Sequence, residues 1–235
     1  MEEHNHSEGQ SVDVEKHPKQ DFQVERLAFF SDAVFAIVIT LLVIEFKVPH
    51  ITDNSTYQEV LKQLSDQKYH FIAILFSFLL IASYWSRHHF LFKYIHNYNK
   101  QIIVANMLVL LPIIFLPFTT AFFAESLISF FLGKNEIVVL GLNLFVLNHF
   151  LAASALYILY WLATNKNKGM SYDIPTKEKI GLVSNLWFMI TFFGALFIAT
   201  LFTSNPFIIF SVEFIVFPSV KIFQKIYKKR LTENK

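Results

Sequence analysis

The chain has 235 residues, of which 54% are apolar, 17% aromatic and only 16% charged, and its formal net charge is +2. Soluble domains carry about 25% charged residues, so 28 Phe and a mean hydropathy of +0.44 exceed what one soluble core can hide, while 6 Gly and 7 Pro exclude collagen-like and low-complexity chains. With no Cys there is no disulfide, no thiolate metal site and no cysteine nucleophile. The composition is that of an all-α, polytopic membrane protein.

Residues 1–25 are polar, rich in Glu, His, Gln and Asp, and lack the apolar run and small-residue cleavage site of a secretory signal. They are expected to form a flexible cytoplasmic tail, in which His4, His6 and His17 are read as solvated rather than metal-binding. Six apolar stretches follow: Leu27–Phe46, Phe71–Phe92, Ile102–Phe122, Ile137–Leu162, Ile180–Phe202 and Pro206–Phe223. Each approaches the ~20 residues that cross a hydrocarbon core, and unpaired backbone is not tolerated there, so each is expected to be a helix. The segment Pro49–Lys68 is expected to be the longest loop. Ser204-Asn205-Pro206 leaves only a tight turn between the last two spans, which makes them a hairpin. The six-span unit is thus 26–228, followed by a basic cytoplasmic C-terminus at 229–235.

Orientation follows from Lys and Arg. With six spans, both termini share a side with the second and fourth loops. Only Lys47, Lys62, Lys68 and Lys134 fall on the opposite side; the remaining sixteen of the 20 basic residues lie on the terminal side. Both termini are therefore expected in the cytoplasm. The basic C-terminal run, directly after a span, is read as a headgroup anchor rather than as a nucleic-acid site.

Polar residues within spans are costly and ask for partners. The first span contains Arg26, Ser31, Asp32, Thr40 and Glu45; the second ends Trp85-Ser86-Arg87-His88-His89, and the third opens with Asn106 at similar depth. Arg26, Phe30, Ser31, Asp32, Trp85, His88 or His89, and Asn106 are expected to form a structural polar layer at one end of the first three helices. Asn143, Asn148 and His149 in span four are read as interhelical packing bonds rather than a relay. Pro112 and Pro117 interrupt span three, and Asn106, Thr119 or Thr120 are expected to meet the carbonyls they free. Glu125 is read as having a local partner, and Glu213 falls within an apolar run with no neighbour in sequence to pair with.

The stretch Arg26-x-x-x-Phe30-Ser31-Asp32, running into an apolar helix with Thr40, resembles the signature of the lysosomal-type potassium channel family, transmembrane protein 175 and its bacterial relatives. Trp85-x-x-His88 and Asn106 add to the resemblance, and the Trp-x-x-His spacing favours His88 over His89. The resemblance implies a potassium-preferring cation channel with no cofactor. It also implies a homotetramer, because the Phe-Ser-Asp signature occurs once here, whereas eukaryotic members fuse two six-helix repeats. Membrane lipids and permeating monovalent cations such as potassium are the other partners implied.

No carbonyl-lined filter of the Thr-Val-Gly-Tyr-Gly type is present. In the family, apolar side chains of the first helix form the constriction, five residues beyond the motif Asp, which lands on Ile37. At about 100° per residue, Phe30, Val34, Ile37, Leu41 and Ile44 share one stripe, with Thr40 on its flank. Such a stripe also suits plain helix packing; the upstream motif favours a pore lining of Ile37, Thr40, Leu41 and Ile44. Glu45 is the candidate outer-mouth charge, with an ordinary interfacial carboxylate beside Lys47 as the equal alternative.

Two other classes fit the residues less well. Asp32, His88 and His89 are zinc-type donors, but adjacent histidines on a helix diverge by about 100°. No His-Glu-x-x-His, Gly-x-Ser-x-Gly or phosphate loop is present. The chain is therefore read as neither an enzyme nor a metalloprotein, with no catalytic residues. A proton-coupled secondary transporter is the alternative, although only span three is broken in the way such transporters use.

Overall fold

A computed structural model describes residues 18–97, 99–131, 133–165 and 170–233. The histidines His4, His6 and His17 lie outside the described residues, as does the side chain of Glu45. The elements run α1 (Pro18–Leu41), a 3-10 turn (Leu42–Glu45), α2 (Tyr57–Asp66), α3 (Lys68–Phe92), α4 (Lys100–Phe131), α5 (Asn135–Ala163), α6 (Thr176–Phe202), α7 (Pro206–Ser211) and α8 (Glu213–Glu233). Six of these stretches are long and apolar enough to cross a membrane: Phe22–Ile44, Lys68–Phe92, Lys100–Ser129, Asn135–Ala163, Thr176–Phe202 and Phe207–Lys229. The protein is an all-helical, multi-pass membrane protein.

The boundaries depart from the sequence expectation in three places. α1 begins at Pro18 rather than Leu27, so residues 18–25 of the expected tail are helical. Proline suits a first helical position, where its missing N–H has no intrahelical partner to lose. α8 continues to Glu233, taking in most of the basic C-terminus, because Lys and Arg complement the helix macrodipole in its last turns. The segment Pro49–Lys68 is not simply a loop, since it contains α2. Thr56 accepts from the Glu59 N–H at 3.3 Å and Glu59 Oε2 accepts from the Thr56 N–H at 2.8 Å. This reciprocal capping box was legible as Thr-x-x-Glu. Two glutamines of this region then tie the chain after α1 to it. Gln67 Nε2 donates to Lys47 O at 2.6 Å while its Oε1 accepts from Lys47 N at 2.9 Å. Gln63 brackets His50 in the same way.

α4 is the central helix. It packs along α5 and receives α1 and α3, while α5 packs on α6 and α6 on α8. At 32 residues and 1.5 Å per residue it is about 48 Å long, longer than the hydrocarbon core is thick. The α4–α5 contact depends on Gly141, where an added Cβ would collide with Ser126 Oγ and Cβ. The turn joining the two helices uses Gly133 at φ 70°, a conformation that costs glycine little. On the far side, α6, the short α7 and α8 form the hairpin expected from Ser204-Asn205-Pro206. Asn205 caps α7 by accepting from Phe207 N at 3.0 Å.

Two inter-helix loops meet at the end of the bundle that carries Trp85 and His89. Ile95 and Ser171 form an isolated antiparallel bridge, Tyr172 N donates to Tyr94 O at 2.9 Å and His96 N to Met170 O at 3.1 Å. Tyr94 Oη donates to Glu178 Oε2 at 2.5 Å, and this bond to a carboxylate raises the Tyr94 pKa above its ordinary value.

Candidate channel face and its polar anchor

α1 has two faces with different fates. Ser31, Phe35, Val38 and Leu42, spaced four, three and four apart, are buried against α3 and α4. The opposite stripe is open: Phe30 is 50% exposed, Ile37 58%, Leu41 38% and Ile44 71%. Val34 is half-buried and packs on the core edge. Thr40 is exposed and its hydroxyl donates to Ile37 O at 2.7 Å. This helix belongs to the most apolar of the six spans, yet only 22% of its apolar window is buried within the protomer. Apolar exposure on that scale is a surface made for lipid or for another copy of the chain.

The buried face is fixed by hydrogen bonds that fall into two branches. In the dry branch, Asn106 Nδ2 donates to Ser31 Oγ at 2.8 Å and Asn106 Oδ1 lies 2.7 Å from His88 Nε2. Ser31 Oγ passes its own proton to Leu27 O at 2.9 Å. All three side chains are essentially excluded from solvent. His88 is further clamped between Phe35 and Phe92, with ring centroids 5.5 and 4.5 Å away. Because Asn106 spends its amide on Ser31, its carbonyl faces His88, and His88 Nε2 is the donor of that pair. In the wet branch, Trp85 Nε1 donates to Asp32 Oδ1 at 2.9 Å, and His89 Nδ1 approaches Asp32 Oδ2 at 3.7 Å. Asp32 is partly exposed and His89 mostly so.

Of the residues expected in one polar layer, the structure therefore brings together Ser31, Asn106 and His88 on one side, and Asp32 and Trp85 on the other. Arg26 and Phe30 are exposed on α1, and among the described residues no bond or ion pair joins Arg26 to Asp32. Asp32 takes an indole and a second histidine as partners instead, because Trp85 and His89 are one turn apart on α3 and face α1 together. His88 and His89 point into different branches, as their 100° separation requires.

Elsewhere the polar residues each serve a helix contact. Asn143 accepts from Thr200 at 3.1 Å, Asn148 donates to Pro112 O at 3.0 Å, and His149 Nδ1 lies 3.4 Å from the Tyr84 hydroxyl. They reach three different helices, so they form packing bonds and no relay. The expectation for the α4 prolines is corrected in part. Asn106 is held by Ser31 and His88, and Thr120 by Ser77 at 2.7 Å, so neither meets a carbonyl of α4. Thr119 turns back on Phe115 O and Leu116 O, and Asn148 arrives from α5. Glu125 finds His70 Nε2 at 3.1 Å, a partner 55 positions away that no local pattern announces. Glu213 is buried, with no hydrogen-bond partner for either carboxylate oxygen among the described residues.

This architecture defines a class: a six-span helical membrane protein whose first helix is pinned on one face by a buried Ser-Asn-His chain and is open on the other. The family model described as "Endosomal/lysosomal potassium channel TMEM175" matches residues 26–117, which run from the first span into the third. A protein named potassium channel from Chryseobacterium sp. is 33% identical over 119 residues, covering 51% of this chain and 56% of the relative. One from Chamaesiphon minutus is 40% identical over 111 residues, covering 47% and 54%. The Gallus gallus protein named endosomal/lysosomal proton channel TMEM175 is 34% identical over 110 residues, covering 43% of this chain and 22% of that one. The matched region thus spans about half the length of the bacterial relatives. Two solved structures share the fold. The crystal structure of a lysosomal potassium-selective channel TMEM175 homolog from Chamaesiphon minutus superposes with TM-score 0.65 at 23% identity, over 86% of this chain and 98% of that one. The structure of a variant of the potassium channel MtTMEM175 with a nanobody fusion gives 0.61 at 19%, over 93% and 99%. These relatives are named as channels and none of them as an enzyme.

Proposed function

We propose that the chain is a potassium-preferring cation channel in which four copies of α1 surround a central pore, with both termini in the cytoplasm of a bacterial cell. The observation that carries this reading is the division of α1: Val38 is 1% exposed while its neighbour Ile37 is 58% exposed. The open stripe of Ile37, Leu41 and Ile44 is then the lining. The names of the bacterial relatives supply the ion. A ring of Ile37 side chains conducts only when wetted, and a cation that sheds water readily pays least to cross it. Potassium holds its shell more loosely than sodium, which gives the preference. Thr40, its proton already donated to Ile37 O, turns oxygen lone pairs toward the cation between successive apolar rings. Asp32 at the inner end and Glu45 at the outer end raise the local cation concentration, fourfold in number around the axis. The Ser31–Asn106–His88 chain fixes the rotation of α1, and so decides which side chains meet the ion.

The test is flux and bi-ionic reversal potential in reconstituted bilayers. Wild type should favour potassium over sodium, Ile37→Asn should raise conductance and erode that preference, and Val38→Asn should leave it intact in whatever protein folds. Wild-type selectivity in Ile37→Asn together with its loss in Val38→Asn would overturn the assigned pore face. The vertebrate relatives are named proton channels, so a pH-sensitive dye belongs in the same vesicles. Potassium movement that requires an imposed proton gradient would replace the channel by a coupled transporter.

A further inference from the structure

We infer that the cleft between the cytoplasmic-side ends of α3 and α6 is a binding site for the phosphate group of an anionic phospholipid, with Arg87 as its cation. The cleft has a volume of about 210 Å³ and is lined by Ser86, Arg87 and Phe90 of α3 and by Glu178, Leu182 and Asn185 of α6. That is the bulk volume of about seven water molecules at ~30 Å³ each, enough for a phosphate group.

Three observations point to an anion there. Arg87 lies five residues before the end of the apolar span Lys68–Phe92, about 7.5 Å inside it by helical rise. At that depth a permanent cation needs a counter-charge, yet no carboxylate ion-pairs with Arg87 among the described residues. Its Nη1 is spent on Ser83 O and Ser83 Oγ of its own helix, and its Nε is buried without an acceptor. The Ser83 contacts hold the guanidinium beside the cleft rather than letting it extend freely toward water. Secondly, Ser86 and Asn185 are exposed polar side chains on two apolar helices, both lining the cleft, and neither has a hydrogen bond among the described residues. A hydroxyl and a carboxamide supply the neutral donors that a phosphate accepts from beside a guanidinium. Thirdly, the local charge is favourable. Glu178 is the one acid in the lining and already accepts from Tyr94, while Lys177 and Lys179 flank it at the start of α6. Phe90 and Leu182 give the cleft an apolar wall on which the glycerol and the first acyl carbons rest, which selects a lipid over a free anion.

The experiment is native mass spectrometry of the purified full chain after delipidation and titration with phosphatidylglycerol against phosphatidylcholine. Wild type should retain phosphatidylglycerol selectively, Arg87→Gln should bind it about tenfold more weakly, as loss of one charge-assisted bond implies, and Arg87→Lys should recover part of the affinity. Asn185→Leu, which keeps the cation, should weaken binding less and serves if Arg87→Gln fails to fold. Lys100→Gln, at the same end of the bundle but outside the cleft, should change nothing. Equal retention by wild type and Arg87→Gln overturns the proposal, as does an equal loss in Lys100→Gln, which would mean diffuse headgroup attraction. Displacement by millimolar inorganic phosphate would make the ligand a free anion and overturn the lipid assignment. Dissociation of the oligomer in Arg87→Gln, with lipid retention unchanged, would place Arg87 at a contact between copies instead.

Discussion

Replacing Asn106 by Leu should be the most damaging single change in the polar anchor. The substitution removes two hydrogen bonds at once, to Ser31 at 2.8 Å and from His88 at 2.7 Å. Their loss is unequal. Ser31 keeps its own donor bond to Leu27 O and loses only a bond it accepted. His88 is 1% exposed and is left with a ring N–H that no water can reach. An orphaned buried donor costs about 1–3 kcal/mol, and interhelical bonds measured in a membrane average about 0.6 with a maximum near 1.7 kcal/mol. Taking the upper half of the membrane range for His88 and the mean for Ser31 gives a loss of about 2 kcal/mol. Asp32→Ala, by contrast, removes a partly exposed carboxylate from Trp85 and His89, both of which are themselves exposed, so it should cost under about 1 kcal/mol. Thermal denaturation in detergent, followed by fluorescence-detected size exclusion, ranks the two. His88→Leu in the Asn106→Leu background should cost less than the sum of the single changes, since the orphan disappears with its ring. Equal stability of Asn106→Leu and wild type, or a greater loss in Asp32→Ala, would refute the reasoning.

Val38→Asn should destabilise by about 1–3 kcal/mol, because its site is 1% exposed and offers the amide no partner, whereas Ile37→Asn should leave the melting temperature of the protomer nearly unchanged; the same melts decide. Gly141→Ala should cost about 1–3 kcal/mol by forcing α5 off Ser126, and Ser126→Gly in the same chain should restore much of it; a rescue near zero would show that the close approach is not the cause. Glu59 has its pKa held below the ordinary 4.5, first by the Thr56 backbone N–H and then by the Thr56 side chain. A carboxylate with a depressed folded-state pKa stabilises at pH above its unfolded value and loses that contribution as pH falls through the folded value. Amide protection across α2, corrected for intrinsic exchange, should therefore be flat above about pH 5 and decline below the ordinary Glu range, and Glu59→Gln should abolish that pH dependence. A decline of equal size in Glu59→Gln would remove the capping carboxylate from the explanation.

Much of this molecule was legible in one dimension. Six spans followed from the length of apolar runs, since a bilayer leaves few ways to satisfy a backbone. The hairpin of α6 and α8 followed from Ser204-Asn205-Pro206. The Arg-x-x-x-Phe-Ser-Asp stretch pointed to the family that residues 26–117 match. Even α2 was written in Thr56-x-x-Glu59, a signal overshadowed by the turn-forming Asp53-Asn54-Ser55 just before it. What the sequence left open was azimuth and partnership. Hydropathy records how deep a residue lies, and for a helix as uniformly apolar as α1 it says little about which side faces the protein; rotation is set by the helices packed against it. The helical stripe already set Ile37 and Val38 on different faces; the packing of α1 on α3 and α4 decided that Val38 is on the face turned to the protein. Partnership is non-local in the same way. Arg26 stands near Asp32 in the chain, yet six residues on a helix turn by about 600°, away from one another. Trp85 and His89, more than fifty positions on, share a face one turn apart and meet the carboxylate first. His70 reaches Glu125 across a comparable stretch of chain. In each case the pairing was decided by where two rigid helices touch, a property of their tertiary contact that neither helix encodes alone.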